Sequence, residues 1–225
     1  LATSDSTIRR YTESDPDVRL MLRVREGDAL AFEELMARHQ AKLVSLMGYL
    51  VGRSDMAEDL AQDVFLRVYR SRERYVPGSK FTTWLYTIAN NVASNARRTL
   101  ARRKEVNLAA PDPAASGAVT IDTISSAASG LMPTRQFDRS ELREVVRQAV
   151  EGLGDRQRTA VLLSKFEHLD YAEIGEVMGM TPQAIKSLIA RARGKLKESL
   201  EPYLVDPPVA DTPPPGDTTA RRAER

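Results

Sequence analysis

The stretch DYAEIGEVMGMTPQAIKSLIARARGK, residues 170–195, decides how the chain is read. A short apolar-periodic segment from Tyr171 to Met178 stops at Gly179. Thr181 then offers an N-cap oxygen, and Pro182 supplies a first helical position with a fixed φ. Two short helices around such a break form a helix-turn-helix when three positions agree. Gly175 is small enough for the second helix to approach the first. Gly179, four residues on, tolerates the positive φ of the turn. Ile185, six residues further, packs the second helix back onto the first. Ile174, Val177 and Leu196 complete that apolar set. Gln183, Lys186, Ser187, Ala190 and Arg191 then face away, near the helix end that enters a major groove. Arg191, Arg193, Lys195 and Lys197 follow with no intervening acid and suit phosphate contacts. A solvated basic face on an ordinary helical hairpin is the competing reading of the same residues.

Moving toward the N-terminus, the periodicity stays helical. Segments are expected near Arg139–Glu151 and Arg156–Glu167, broken at Gly152-Leu153-Gly154 and His168-Leu169-Asp170. Residues 106–135 hold Pro111, Pro113, Gly117, Gly130 and Pro133 among Ala and Ser. Such a length is unusual as a loop within one small domain and reads as a linker. The first half carries Asp15-Pro16 as a helix start, Gly27 as a stop and Asp28 as the next cap. Phe32, Leu35, Met36, Leu43, Leu46 and Met47 follow at spacings of three and four. Asp55 is expected to cap a third helix bearing Leu60, Val64, Phe65 and Val68. After a loop holding Pro77-Gly78, a fourth helix is expected from about Phe81 to Arg103. No alternation bounded by hairpin turns competes. The fold class is therefore all-α, with two small helical domains. The expected layout is an unstructured tail at 1–14, a domain at 15–104, a linker at 105–137, a domain at 138–204 and a disordered Pro-rich tail at 205–225.

Composition narrows the chemistry. The 225 residues include no cysteine and only two histidines, His39 and His168. That removes a disulfide framework, a Cys-ligated metal and a Cys nucleophile, and leaves little for a His-rich metal site. No Walker A loop, GxSxG or HExxH occurs, so no enzyme is expected, and no cofactor or metal. No run of about 18 apolar residues predicts a membrane insertion. The opening stretch, Leu1 to Asp17, lacks the basic-then-apolar order of a signal peptide, so a cytoplasmic location is expected.

Lys and Arg number 33 against 31 Asp and Glu, a net charge of +2 that averages over segregated surfaces. Arg97, Arg98, Arg102, Arg103 and Lys104 end a helix that starts with Phe81, Trp84 and Tyr86. Cations at a helix C-terminus complement the dipole, and aromatics beside a cationic stripe can also hold unstacked bases. Asp55, Glu58, Asp59 and Asp63 form an acidic run. Acids early in a helix are favoured by its dipole, but Asp59, Gln62 and Asp63 also share a face that could dock a basic protein surface.

Four segments in order then carry a resemblance. They are Gly27-Asp28-Ala29 with Ala31-Phe32, the run Ala57 to Phe65 (AEDLAQDVF), the run Lys80 to Tyr86 (KFTTWLY), and the helix-turn-helix with Ile185-Lys186-Ser187 and Arg191-Ala192-Arg193. Together they resemble the extracytoplasmic-function (group 4) sigma factors of bacterial RNA polymerase, over roughly 15–104 and 138–200. The resemblance implies that Asp59, Leu60, Gln62 and Asp63 dock on the clamp helices of the largest polymerase subunit, and that the second domain meets the polymerase flap. It implies that the loop from Tyr75 to Lys80, including Ser79, and the helix bearing Trp84, Asn91, Asn95 and Arg98 open the -10 promoter element and hold its single strand. It implies that Gln183, Lys186, Ser187, Arg191, Arg193 and Lys195 meet the -35 element as duplex. It also makes an anti-sigma factor a candidate partner. Two positions depart from the family pattern. Leu188 and Thr87 stand where arginines are common, which puts the contacts of those arginines in doubt. The runner-up function is a regulator with a sigma-like helix-turn-helix that does not replace sigma.

Overall fold

Asp15 sets the first helix boundary that matters: its Oδ1 accepts the Asp17 N–H at 2.9 Å, and Pro16 follows at the first helical position. The computed structural model describes residues 4–109 and 139–204, and every regular element among them is a helix. The first group is α1 (Asp5–Ser14), α2 (Pro16–Arg25), α3 (Ala29–Val51), α4 (Ala57–Arg70) and α5 (Phe81–Ala109). The second is α6 (Arg139–Glu151), α7 (Asp155–Lys165), α8 (Tyr171–Met178) and α9 (Pro182–Leu204). Single 3₁₀ turns, Ser54–Met56 and Arg72–Arg74, precede and follow α4.

Caps set most of these boundaries. Asp28 Oδ1 accepts the Ala31 N–H at 3.1 Å and opens α3, and Gly52 ends it in the left-handed region. Asp170 accepts from the N–H groups of Ala172 and Glu173, while the Glu173 carboxylate accepts the Asp170 N–H, a reciprocal capping box at α8. Thr181 Oγ1 accepts the Ala184 N–H at 3.3 Å and opens α9.

Three expectations change. Residues 5–14, expected to be part of an unstructured tail, form α1. Its last carbonyls are tied by the Arg19 guanidinium, which donates to Thr12 O and Glu13 O, a link with no apolar periodicity to announce it. Asp55 is not a cap. It lies in the turn before α4 and takes a two-pronged bond from Arg53, at 2.8 and 2.6 Å, so α4 begins without a side-chain cap. The fourth helix of the sequence reading runs on to Ala109, past the expected end of the first domain. The expected Pro-rich tail, and the linker beyond residue 109, lie outside the described residues.

In the first group the core is built from Val18, Met21 and Val24 of α2, Leu35, Leu43 and Met47 of α3, Val64 and Phe65 of α4, and Phe81, Leu85 and Val92 of α5, all buried. In the second, Leu162, Leu163, Ile174, Val177, Ile185 and Ile189 are buried. These two sets join into one continuous apolar cluster, because α5 lies against α8 and α3 against α7. Apolar area removed from water on both sides of that seam favours the packed arrangement.

Candidate nucleic-acid interface

Glycine is required at the turn of the helix-turn-helix. A Cβ on Gly175 would sit 2.5 Å from the Met180 carbonyl oxygen, so only glycine lets α8 approach the chain that enters α9. Gly179 adopts φ +64 at the end of α8. The result fixes the rotation of α9. Ile185, Leu188, Ile189 and Ala192 are buried, and Gln183, Lys186, Ser187, Ala190 and Arg191 are exposed on the opposite side. Arg193, Lys195 and Lys197 are also exposed. Leu188 therefore points into the core, and its packing explains an apolar residue at that position.

The second surface lies on α5. Trp84, Asn91, Asn95 and Arg98 recur at helical spacing along one stripe. The three polar residues are exposed and Trp84 is half-buried. Trp84 is held from both sides, with ring centroids 4.8 Å from Tyr75 and 6.1 Å from Phe81. Tyr75 is placed differently from the sequence expectation. It is 3% exposed, so its ring supports Trp84 from within the fold rather than facing a ligand. Burial pushes its phenol pKa well above the usual range, helped by the nearby charges of Asp15 and Asp17. Ser79 is half-buried. Lys80 is exposed, and its ammonium lies 2.8 Å from the Glu173 carboxylate. The loop is tied at both ends: Arg25 donates to Tyr75 O at 3.3 Å, and Asp15 Oδ2 accepts the Phe81 N–H at 2.9 Å. Just upstream, Arg70 and Arg74 are exposed, and Arg72 lies 4.2 Å over the Tyr69 ring. These arginines were not singled out in the sequence because Glu73 interrupts the run.

The third surface is on α4. Asp59 and Gln62 are exposed, Asp63 and Leu60 are half-buried, and Arg67 donates to both oxygens of Asp63 at 3.0–3.2 Å. Leu66 is 53% exposed one turn beyond Gln62 and adds an apolar spot that periodicity alone did not separate from the core. His39, whose Nε2 lies 2.7 Å from Asp17, packs on Phe81, and His168 sits at φ 56 in the α7–α8 turn. Among the described residues no cluster of His, Cys, Asp or Glu could hold a metal ion, and no helix is long and apolar enough to cross a membrane.

Comparison with known proteins gives the same division. Residues 35–103 match Sigma-70 region 2, and residues 143–196 match Sigma-70, region 4. The chain is 33% identical over 192 residues to the RNA polymerase sigma-H factor of Pseudomonas aeruginosa, covering 84% of this chain and 96% of that protein. It is 32% identical over 188 residues to the ECF RNA polymerase sigma-E factor of Haemophilus influenzae (84% and 97% covered), and 37% over 180 to the RNA polymerase sigma factor CarQ of Myxococcus xanthus (80% and 95%). In structure it is similar to CnrH solved with the cytosolic domain of CnrY, at a TM-score of 0.61 and 22% identity, covering 84% of this chain and 99% of that one. It is also similar to the sigma factor RpoE of Bartonella quintana solved with the anti-sigma factor NepR, at 0.58 and 24%, covering 76% and 96%.

Proposed function

Because the chain belongs to the extracytoplasmic-function sigma factors and so directs RNA polymerase to promoters, we propose that its three exposed surfaces divide that work. Asp59, Leu60, Gln62 and Asp63 dock the chain on the polymerase clamp helices. The loop at 75–80, with Ser79 and Lys80, and the α5 stripe of Trp84, Asn91, Asn95 and Arg98 hold the melted -10 strand. The α9 face reads the -35 duplex through Gln183, Lys186, Ser187 and Arg191, with Arg193 and Lys195 on phosphates. The expected domain limits follow the same division, the first domain carrying the clamp and -10 surfaces and the second the -35 surface.

The physics suits each task. Taking a base out of the stack costs a few kcal/mol, and stacking on an aromatic face returns about 1–3 kcal/mol per base. A rigidly held Trp84 loses little freedom when a base stacks on it. A side chain bonding two atoms of a base edge in the major groove discriminates by about 1–3 kcal/mol, so a few exposed polar residues on α9 are enough. The acidic α4 face repels DNA and favours a basic protein partner. An anti-sigma partner, the kind of molecule bound to RpoE in the second solved structure, belongs to the same reading.

The observation that carries this proposal is the coexistence of the α4 face and the α5 stripe with a complete helix-turn-helix. A regulator working only through duplex DNA uses the last of these and has no need of the first two. Run-off transcription with core polymerase on a promoter library tests the proposal. Transcripts should require the chain and both promoter elements. Unchanged initiation by a variant carrying Asn91→Ala, Asn95→Ala and Arg98→Ala would remove α5 from the -10 strand.

A further inference from the structure

A cleft of about 280 Å³ lies between α5, the first turn of α7 and the turn that joins α8 to α9. Asn90, Ser94 and Arg97 line it from α5, and Asp155 and Arg156 line it from α7. Met178 and Met180, both half-buried, bring the apolar part of the lining. Asp155 is the only carboxylate in this lining among the described residues, and it faces two guanidiniums.

The charge of the cleft is incompletely matched. Arg97 Nε lies 3.2 Å from Asp155, and another nitrogen of the same guanidinium donates to Leu50 O at 2.9 Å. Among the described residues nothing else accepts from Arg97, although its fork carries five N–H groups. Burial lowers the Arg97 pKa against the pull of Asp155, and the nearby charge of Arg158 lowers it further. Arg158 is fixed in place by donating to the carbonyls of Val150, Glu151 and Leu153. Arg156 is exposed, and among the described residues no carboxylate stands within ion-pair reach of it. The Asp155 side chain is 60% exposed, so a partner with more oxygens can displace it from Arg97 without burying it.

From this lining we propose that the cleft binds a small phosphate monoester. Its phosphate bridges Arg97 and Arg156, Asn90 and Ser94 supply further hydrogen bonds, and a compact flat group lies against Met178 and Met180. Phosphate suits the site because a guanidinium fork meets its oxygens in pairs. A flat group suits the methionines because thioether sulfur packs well on π-systems. Size sets the limit: ligand cavities begin near about 300 Å³, so this one takes a small ester and no larger conjugate. Depth separates the ligand from a nucleic-acid strand. Only 17% of the Arg97 side chain meets solvent, which a compact molecule reaches more easily than a continuous backbone does. The site is independent of the proposed -10 role of α5, since Asn90, Ser94 and Arg97 each precede by one position the stripe of Asn91, Asn95 and Arg98.

The test is calorimetric titration of the full chain with phenyl phosphate, with inorganic phosphate and phenol as the two halves of the probe. Phenyl phosphate should bind saturably with a Kd at or below about 1 mM, more tightly than either half. Arg156→Gln removes an exposed charge and should weaken it at least about tenfold while leaving the thermal midpoint of the unliganded chain unchanged. Asn90→Ala should weaken it by a smaller factor. Asp155→Asn gives the decisive sign. Removing the competing carboxylate should tighten phenyl phosphate severalfold, whereas a cleft in which Asp155 only braces Arg97 would bind no better or worse. No saturable binding to the parent, or binding that Arg156→Gln leaves unchanged, overturns the site. Equal affinity for phosphate and phenyl phosphate overturns the flat group. A labelled single-stranded oligonucleotide that loses as much affinity as phenyl phosphate on Arg156→Gln would give the cleft to nucleic acid and overturn the small-ligand reading. None of these outcomes bears on Asn91, Asn95 and Arg98, which the transcription test above decides.

Discussion

Asp15 and Phe81 are 66 positions apart in sequence, yet the Asp15 carboxylate accepts the Phe81 backbone N–H at 2.9 Å while its other oxygen caps α2. One side chain thus closes two helix N-termini and seats the start of α5 against the first bundle. Both bonds involve a charged acceptor on orphan helix donors, so losing them together should cost about 1–3 kcal/mol. Asp15→Ala is expected to lower the urea midpoint accordingly and to weaken -10 strand opening more than -35 duplex binding. Asp15→Asn, which keeps one acceptor, should fall between the two. Equal losses at both elements would show that Asp15 acts on global stability and not on the placement of α5.

Gly175 and Gly179 look alike in the sequence but are needed for different reasons, and alanine separates them. At Gly175 the added Cβ meets the Met180 carbonyl oxygen at 2.5 Å, a clash with backbone that has no flexible end to move. Gly175→Ala should cost about 1–3 kcal/mol and shift α9, with a matching loss of -35 duplex affinity. At Gly179 nothing lies within 4 Å, and the cost is that of φ +64 alone, about 1 kcal/mol. Gly179→Ala should therefore lower the thermal midpoint with duplex affinity nearly preserved. Calorimetry beside a duplex titration reads both.

The contrast shows what the sequence could carry. Local spacing was enough for α8 and α9, because two turn glycines, an N-cap threonine followed by proline and an apolar set lie close together in the sequence. It was enough for the polar face of α9 for the same reason. It failed where the deciding partner is distant or competes locally. Asp15 advertises its own helix but not Phe81. Asp55 had the position of a cap, and Arg53, two residues earlier, captured its carboxylate. Tyr75 lies in a loop, where no period tells an inward ring from an outward one, and it turned out buried. Glu173 closes a local cap with one oxygen and meets Lys80 across the seam with the other, and the sequence reading singled out neither contact.

On α4 the exposed side chains form a small mixed patch: Asp59 and Gln62, with Leu66 one turn further on. If this face docks on the polymerase, charge and apolar contact should contribute separately. Asp59→Arg with Gln62→Ala should weaken core binding at least about tenfold, equivalent to about 1.4 kcal/mol or more. Leu66→Ala should weaken it by a smaller factor that does not change with salt, while the Asp59 contribution shrinks as salt rises. Because all three side chains are exposed, unfolding curves should stay close to those of the parent. A binding assay in two salt concentrations separates the contributions, and unchanged core affinity in both variants would take docking away from α4.

Two of the seven tyrosines, Tyr75 and Tyr86, are 3% exposed, and the phenols of both are held well above the usual pKa. Burial is the main cause in each. For Tyr86 the hydrogen bond to Glu167 and that residue's charge add to it, because a phenolate beside a carboxylate is unfavourable. A group that releases its proton less readily when folded contributes stability that is complete below its unfolded pKa, about 10 for tyrosine, and is lost as pH rises above that value. The parent should therefore be stable up to about pH 10 and lose stability beyond it. Its phenolate absorbance should rise in two stages, with the last two tyrosines ionising only as the chain unfolds. Glu167→Gln removes the charge but keeps an acceptor, so Tyr86 should ionise at lower pH than in the parent while Tyr75 is unaffected. A single smooth titration of all seven tyrosines in the folded parent would contradict the burial of both rings.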